Sequence, residues 1–351
     1  MNFLLIGATG FIGKHVTAQL LGLGASVTVF HRGPTKLPVG AEEILGDHKE
    51  LARHRDALRA RKPDAVIDFI LSNERQASEL VDIFSGHAGR IVGVSSADVY
   101  RACGIAHGFE SGPLQALPLT EDSALRTTRN VYGADDLARL RTIFSWLGEE
   151  YDKIPVEQVI MAADAMPGTV LRLPMVYGPC DPLHRLFPYL KRMDDQRPAI
   201  LLQADAASWR GPRGYVENVA AAITLAAASH EAAGKIYNIA EQDCLSEADW
   251  IRAIAAVAEW TGEIVAMPAA RLPAHLQVPY RTEQHWVVSS ERIRRELAFR
   301  EPVDFNTGLA NTIAWERENP PPFAPAAFNY EAEDAALAAY LAEGERESAE
   351  Q

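Results

Sequence analysis

The sequence predicts an α/β fold built on a doubly wound parallel sheet, with a smaller C-terminal lobe beside it. Three observations carry this prediction: short apolar runs, helical patterns that alternate with them, and a glycine-rich turn directly after the first run. Strands covered on both faces read as continuous apolar runs because neither face meets water. Alternation of such strands with helices predicts parallel crossover connections, which place helices on both sides of the sheet.

Six short apolar segments, each bounded by turn-forming residues, are expected to be the buried strands. They are residues 3–6, 26–31, 65–70, 90–95, 169–173 and 235–239. Helical patterns lie between them, at residues 11–23, 75–84 and 216–228. Gly24 directly follows the first of these helices, at a position where a left-handed C-cap favours glycine.

The order of these elements divides the chain into two expected parts. Residues 1–179 and 214–240 form the sheet domain, and residues 180–213 and 241–330 form the smaller lobe. Residues 101–130 are rich in Gly, Pro, Ser, Thr and charge, which predicts a long loop or insertion. The Ala- and Glu-rich residues 331–351 are expected to form an acidic tail, as a solvated or frayed helix.

Composition excludes several classes of function. The 351 residues carry 47 acidic and 34 basic side chains, and this net charge of −13 argues against a nucleic-acid partner. Cys103, Cys180 and Cys244 lack the spacing of metal ligands or of a disulfide framework, so no metal site is expected. No apolar run reaches the roughly eighteen residues of a membrane span, and the first strand begins too early for a signal peptide. We expect a cytoplasmic protein that acts on a small molecule, with a homodimer left open.

The glycine-rich turn has the spacing of a dinucleotide-binding loop. In such a loop the first glycine allows a tight turn, the second lets the backbone approach a pyrophosphate, and the third packs the following helix on its strand. The helix N-terminus supplies main-chain N–H donors for the phosphates. The sequence therefore predicts a Rossmann-type site for a nicotinamide dinucleotide, formed by Gly7, Thr9, Gly10, Phe11, Ile12 and Gly13.

The end of the second strand indicates which cofactor is preferred. A carboxylate that accepts the ribose hydroxyls of NAD normally stands there, whereas this chain has His31 and Arg32. A guanidinium suits a 2′-phosphate, so NADP is expected in preference to NAD, unless Arg32 is only a solvated surface cation. Asp47 and His48 are expected near the adenine, with a turn or helix cap as the alternative for Asp47.

Several motifs together resemble a known family. Beside the glycine loop stand Ser95-Ser96-Ala97-Asp98-Val99-Tyr100 and the run from Leu171 to Pro179, in the order found in extended short-chain dehydrogenases/reductases of the epimerase/dehydratase branch. The resemblance covers about residues 1–315. The short Gly214–Ala220 segment and the text from Lys153 to Gln158 are also similar to an atypical branch, the chloroplast stem-loop RNA-binding proteins.

The resemblance implies an NAD(P)-dependent oxidoreductase or epimerase/dehydratase that acts on a carbonyl or hydroxyl of a sugar-nucleotide-like molecule. It assigns Phe69, Ser95, Lys153, Pro174 and Met175 to the cofactor. It assigns Tyr177, Arg210 and Arg213 to the substrate. The alternative function is an NADP-binding sensor or an RNA-binding module with weak or no catalysis.

The implied catalytic residues are Ser96, Tyr151 and Lys153, but their spacing departs from the family. The usual Tyr-x-x-x-Lys is absent, because Tyr151 precedes Lys153 by two residues rather than four. Side chains two residues apart on a helix point in directions about 200° apart, so they do not share a face. Pro155 is tolerated only in a first helical turn, which predicts that Asp152 is the N-cap and that Tyr151 lies just outside the helix.

Other interpretations of the same residues stay open. Tyr151 could be a packing aromatic, Ser96 a strand-end cap and Lys153 a surface lysine. Glu149 takes the family's tyrosine position if Lys153 anchors the alignment, and Tyr132 is a further phenol that the insertion could deliver.

Overall fold

A computed structural model describes residues 1–129, 132–148, 150–322 and 325–349. The strands are β1 (Asn2–Ile6), β2 (Ser26–His31), β3 (Glu42–Leu45), β4 (Ala65–Asp68), β5 (Ile91–Ser96), β6 (Gly168–Leu173), β7 (Met175–Tyr177), β8 (Ala199–Gln203), β9 (Arg213–Tyr215), β10 (Lys235–Asn238) and β11 (Glu263–Met267). The α-helices are α1 (Gly13–Gly22), α2 (Arg55–Arg59), α3 (Glu74–Phe84), α4 (Arg101–Ala106), α5 (Ala134–Ile143), α6 (Lys153–Met161), α7 (Phe187–Asp194), α8 (Ala204–Ala207), α9 (Val216–Ala228), α10 (Glu247–Ala258), α11 (Glu291–Glu296), α12 (Phe305–Glu318) and α13 (Tyr330–Ala349). Six short 3-10 helices complete the described structure, at residues 48–54, 97–99, 230–232, 269–271, 274–276 and 325–328.

The central sheet has seven parallel strands in the order β10-β6-β5-β4-β1-β2-β3. The predicted doubly wound α/β fold is therefore confirmed. Chain order reverses where β1 lies between β2 and β4, and clefts in such sheets form outside the carboxyl ends of the strands at this switch point. The predicted helix over residues 216–228 is also present, as α9.

The two faces of the sheet bury two separate apolar cores. Leu4 and Ile6 of β1 belong to one core, with residues of α3 and α6, whereas Phe3 and Leu5 belong to the other, with residues of α1 and α9. This division follows from the two-residue period of a strand, which turns successive side chains to opposite faces. All four side chains are at most 3% exposed, as expected of a strand with helices on both sides.

Several elements were not expected from the sequence. Strand β3 is polar and mostly exposed, so it lacks the apolar run by which the other strands of the central sheet are recognised. Helix α5 has no buried residue. The expected loop over residues 101–130 begins with α4, and its later part is held by Glu110, which accepts hydrogen bonds from the main-chain N–H groups of Thr127 and Thr128.

Two further parallel sheets of two strands each lie outside the central sheet, β8 with β11 and β7 with β9. The expected acidic tail is helix α13, and its first turns are docked on other parts of the protein rather than solvated. Glu333 is 2% exposed and pairs with Arg192 of α7 and with His275, which explains how an acidic segment is held there. No helix among the residues that the structure describes is both long and apolar enough to cross a membrane.

Candidate functional site

A cleft of about 390 Å³ opens at the carboxyl ends of β1, β2, β4 and β5; it is called the cofactor cleft below. Its wall contains eleven of the residues that the sequence assigned to a cofactor: Gly7, Thr9, Gly10, Phe11, Ile12, Gly13, His31, Arg32, Asp47, His48 and Phe69. The wall also contains Ile143, which ends α5, and Phe144, Ser145 and Trp146, which follow it. The glycine turn and the second strand end therefore face one cavity.

The three glycines of the turn have different surroundings. Gly7 has a φ of +75°, which a side chain rarely adopts, and a Cβ at Gly13 would lie 2.3 Å from the Cα atom of Ala8. A Cβ at Gly10 would meet no atom within 4 Å, so the space in front of it is open. Helix α1 begins at Gly13, beside this space, and the N-terminus of a helix carries a partial positive charge. The open cradle and the helix N-terminus fit the pyrophosphate of a dinucleotide.

The residues at the end of β2 have different exposures. His31 is buried and its Nε2 lies 3.2 Å from Glu43 Oε2. Arg32 is exposed on the cleft wall, where its Nη2 donates to Ser145 Oγ at 2.8 Å. The guanidinium is thus held at the cleft, between the strand end and the segment that follows α5.

Asp47 and His48 lie next to each other but have different partners. Asp47 is the N-cap of the 3-10 helix that follows β3, because its carboxylate accepts a hydrogen bond from the N–H of Lys49 at 2.9 Å. His48 lies deeper, with Nε2 3.1 Å from a carboxylate oxygen of the fully buried Asp68. Burial lowers the pKa of His48, but Asp68 outweighs it, so the pKa is raised above its ordinary value.

The two serines at the end of β5 are engaged inside the protein. Ser95 is 4% exposed and donates to Glu157 Oε1 at 2.6 Å, within a buried network in which Arg172 also pairs with Glu157. Ser96 accepts a hydrogen bond from the N–H of Asp98 and caps a 3-10 turn. Both hydroxyls therefore position the strand end in this structure.

Asp98 joins the two candidate tyrosines. Its Oδ2 accepts hydrogen bonds from the hydroxyls of Tyr151 at 2.9 Å and of Tyr132 at 3.3 Å. The carboxylate is 1% exposed, and its Oδ1 has no hydrogen-bond partner among the described residues. Burial and the neighbouring Asp98 raise the pKa of both tyrosines well above the usual value. Near neutral pH both phenols keep their protons and act as donors.

Lys153 begins α6, as the sequence predicted from Pro155 and the cap at Asp152. Its side chain is 3% exposed and donates to the main-chain oxygens of Leu71 and Val94, the latter at 2.9 Å. Burial lowers its pKa to about 8. The ammonium lies 5.6 Å from the ring centroid of Trp146 and 5.7 Å from that of Tyr151.

The lowered pKa of Lys153 has a measurable consequence for stability. Between pH of about 8 and 10.5 the unfolded chain binds more protons than the folded one, so the free energy of unfolding rises with pH. Relative to Lys153→Met, the wild type should gain about 1–3 kcal/mol over that range. Urea unfolding of both proteins at several pH values measures this gain. Lys36→Met, which changes an exposed lysine, is the control. A difference in unfolding free energy between wild type and Lys153→Met that does not change with pH would contradict the lowered pKa of Lys153.

A second cleft, of about 310 Å³, is lined by residues of α4, β7, α7, β9 and α10 and of the loops around them; it is called the aromatic cleft below. Six aromatic side chains lie in its wall, namely Tyr177, Tyr189, Trp209, Trp250, Tyr280 and Trp286. Met175 and Arg213, which the sequence assigned to cofactor and substrate respectively, lie in the same wall. Arg210 is exposed and is not among the residues of this wall, and Pro174 packs near Gly214.

A series of ring contacts runs between the two clefts. Trp146 lines the cofactor cleft and contacts Lys153, which contacts Tyr151. The Tyr151 and Tyr132 rings are 5.8 Å apart, and the His107 ring, which lines the aromatic cleft, is 6.1 Å from Tyr132. The tyrosine pair and Asp98 therefore lie between the clefts.

Several of these residues were not identified from the sequence as functional. Asp98 was named only within the run from Ser95 to Tyr100, and no local sequence pattern indicated Trp146 or the aromatic cleft. The polar side chains at the end of β5 could have indicated Asp98, because ligands bind at the sheet edge where the carboxyl ends of parallel strands lie. Glu149, the alternative at the tyrosine position, lies outside the described residues.

Solved structures with the same fold cover nearly the whole chain. A dTDP-glucose 4,6-dehydratase from Bacillus anthracis, in complex with NAD, is 16% identical, covers 93% of this chain and 99% of its own, and has a TM-score of 0.65. A short-chain dehydrogenase/reductase superfamily protein from Agrobacterium tumefaciens, with bound NAD, is 20% identical over 91% and 98% of the chains, with a TM-score of 0.65. A UDP-glucose 4-epimerase from Thermotoga maritima, with UDP-glucose, is 19% identical over 91% and 99%, with a TM-score of 0.63. Identities this low establish likeness of fold.

No curated protein is significantly similar to the chain. The sequence model of one family does match, over residues 3–240, which are more than half of the 351 residues and include the glycine turn, Asp98, Tyr151 and Lys153. The protein belongs to the NAD dependent epimerase/dehydratase family.

Proposed function

We propose that the protein holds a nicotinamide dinucleotide in the cofactor cleft and uses it to oxidise, reduce, epimerise or dehydrate a small molecule at a hydroxyl or carbonyl. The observation that carries this proposal is the position of Asp98 and its two tyrosines between the two clefts. Such chemistry requires a cofactor and a substrate that meet at contact distance, with a proton acceptor at the substrate oxygen, and Asp98 with its tyrosines is the proposed acceptor.

The proton is handled by Tyr151 and Asp98 together. When a substrate hydroxyl is oxidised, Tyr151 takes its proton and passes its own to the Asp98 carboxylate, with which it is already hydrogen bonded. In the reverse direction the protonated pair returns a proton to the carbonyl oxygen. A bound nicotinamide supplies hydride acceptance and donation. This relay replaces the usual Tyr-x-x-x-Lys pair, since the raised pKa of Tyr151 disfavours a free tyrosinate.

Lys153 is proposed as a positioning residue rather than as the direct partner of a tyrosinate. Its ammonium holds the ends of two sheet strands through the oxygens of Leu71 and Val94 and lies beside the Tyr151 ring. This arrangement fixes Tyr151 between Asp98 and the cleft wall. Ser96 supports the same strand end through its cap.

NADP is the proposed cofactor in preference to NAD, because the exposed Arg32 stands on the cleft wall and no carboxylate occupies its neighbour positions 31 and 33. We expect NADPH to bind about tenfold to a hundredfold more tightly than NADH, since one charge-assisted hydrogen bond contributes roughly 1.5–3 kcal/mol. Arg32→Ala should remove the preference, whereas the distant exposed Arg252→Ala should keep it. Isothermal titration measures all six combinations of protein and cofactor, and equal wild-type affinities would disprove the NADP preference.

A second candidate function is an NADP-binding sensor with weak or no turnover. The observation that favours it is the hydrogen bond from Arg32 to Ser145, which links the cofactor position to the segment after α5. Binding of a 2′-phosphate would compete for this guanidinium and so move the segment. The aromatic cleft favours catalysis instead, because a sensor needs no second cavity.

One experiment decides between the two functions. NADH and NADPH binding is measured first, and a panel of alcohols and ketones is then screened by cofactor absorbance, with a chromatographic product assay for reactions without net redox change. Turnover of any panel member supports the enzyme. Cofactor binding without any product across both assays supports the sensor, and absence of cofactor binding contradicts both.

A further inference from the structure

The polar tips of the aromatic cleft are already used within the protein. The hydroxyls of Tyr177 and Tyr189 donate to Glu241 and Glu247 at 2.8 and 2.5 Å. The indole N–H groups of Trp209 and Trp286 donate to main-chain oxygens of Gln284 and Ala97. These partners turn the polar ends away and leave ring faces for a ligand.

The cations of the cleft are neutralised as well. Arg213 pairs with Glu247 and stacks on the Trp250 ring, with 4.7 Å from its Cζ atom to the centroid. Arg185 pairs with Asp181 at 2.7 Å and donates to the oxygen of Val176. Each of the two arginines in the wall is therefore paired with a carboxylate. To bind here, a diphosphate would have to break one of these ion pairs, or else give up its bound water without gaining a cation as its partner.

The volume of the cleft points in the same direction. Its 310 Å³ lies at the lower end of the range of about 300–1,000 Å³ that small-molecule sites occupy. A ligand of one or two rings matches this space and the ring faces around it.

We propose that the aromatic cleft takes an uncharged substrate with a flat ring system and discriminates against nucleoside diphosphates. This inference deepens the proposed function and rests on it, since it names the substrate class of the same site. His107 lines the end of the cleft from which the rings of Tyr132 and Tyr151 lead toward the cofactor cleft. Burial lowers the pKa of His107, which keeps this end neutral near pH 7.

Tyr280 provides a polar contact in the same cleft. Its ring packs on Trp209 with 5.2 Å between centroids, and its hydroxyl has no hydrogen-bond partner among the described residues. A phenol that is half-buried and unengaged is available to donate to a ligand oxygen.

The test compares ligands that differ in charge and shape. Isothermal titration measures the binding of 2-naphthol, uridine, UDP and UDP-glucose to the full chain, with and without NADPH. We expect 2-naphthol to bind at least about tenfold more tightly than UDP or UDP-glucose. UDP or UDP-glucose binding as tightly as 2-naphthol would overturn the inference. Titration of NADPH alone is a separate readout of the proposed function, so the two proposals can fail separately.

Two variants and a control make the test specific to the cleft. Tyr280→Ala should weaken 2-naphthol about tenfold, through lost ring stacking. Glu247→Gln should strengthen UDP about tenfold, because it frees Arg213 for a phosphate. Glu263→Gln removes the same charge from an exposed strand residue and should change neither affinity. If Glu247→Gln leaves UDP binding unchanged in folded protein, the neutralised arginine does not set the substrate class and the inference fails.

Discussion

Gly10→Val is expected to abolish binding of NADH and NADPH while leaving the protein folded. A Cβ at this position meets no protein atom within 4 Å, so the valine projects into the open space of the cofactor cleft. That space is where the N–H groups at the start of α1 meet a pyrophosphate. Loss of several such hydrogen bonds, each contributing roughly 1.5–3 kcal/mol to a charged partner, lowers the affinity more than about a hundredfold.

The matched control is Gly13→Ala, three residues along the same turn. Its Cβ would lie 2.3 Å from the Cα atom of Ala8, so this smaller side chain should disturb the packing of α1 on β1. Thermal unfolding separates the two variants: Gly10→Val should unfold close to the wild-type temperature and Gly13→Ala well below it. Normal cofactor affinity in folded Gly10→Val would mean that the turn is only structural.

The second large effect is expected at Tyr151. If the protein is an enzyme, Tyr151→Phe should lower turnover about 10²–10⁴-fold, because it removes the phenol that joins the substrate to Asp98. Asp98→Asn should lower it to a similar extent, since the amide cannot accept the proton. Tyr132→Phe should cost far less, because Tyr132 lies farther from Asp98, at 3.3 Å, and does not contact Lys153.

Kinetics must be compared on folded proteins with equal cofactor affinity, which titration of NADPH verifies for each variant. The comparison of kcat with KM then distinguishes a proton relay from a packing role: loss in kcat with unchanged KM indicates the relay. Full activity of Tyr151→Phe would assign the acid/base role to Tyr132 or to Glu149.

Local sequence patterns were sufficient for the sheet and for one half of the candidate site. The glycine turn lies within one strand-turn-helix unit, so its spacing predicted the part of the cofactor cleft formed by Gly10. The end of the next strand predicted the part formed by Arg32. Lys153 at the start of α6 was also predictable, because Asp152 and Pro155 define a helix N-terminus within four residues. These features depend on neighbours in the chain.

The other half depends on contacts between distant segments. Asp98 meets Tyr151 across 53 positions, and nothing near either residue in the sequence indicates that they pair. The aromatic cleft likewise combines residues of α4, α7, α10 and the loops around them. The pairing of Arg213 with Glu247 also joins distant segments, and the sequence assigned the arginine to the substrate without indicating this partner.

A crystal structure of the protein with NADPH would show whether the cofactor cleft holds the dinucleotide with its nicotinamide beside Tyr151. We expect the 2′-phosphate at Arg32 and the pyrophosphate in front of Gly10, at the start of α1. We expect the nicotinamide in contact, at about 4 Å, with the wall formed by Val94 and Trp146, on the side of Tyr151 and Asp98. A nicotinamide that pointed away from Tyr151, or a dinucleotide bound outside the cofactor cleft, would contradict these expectations.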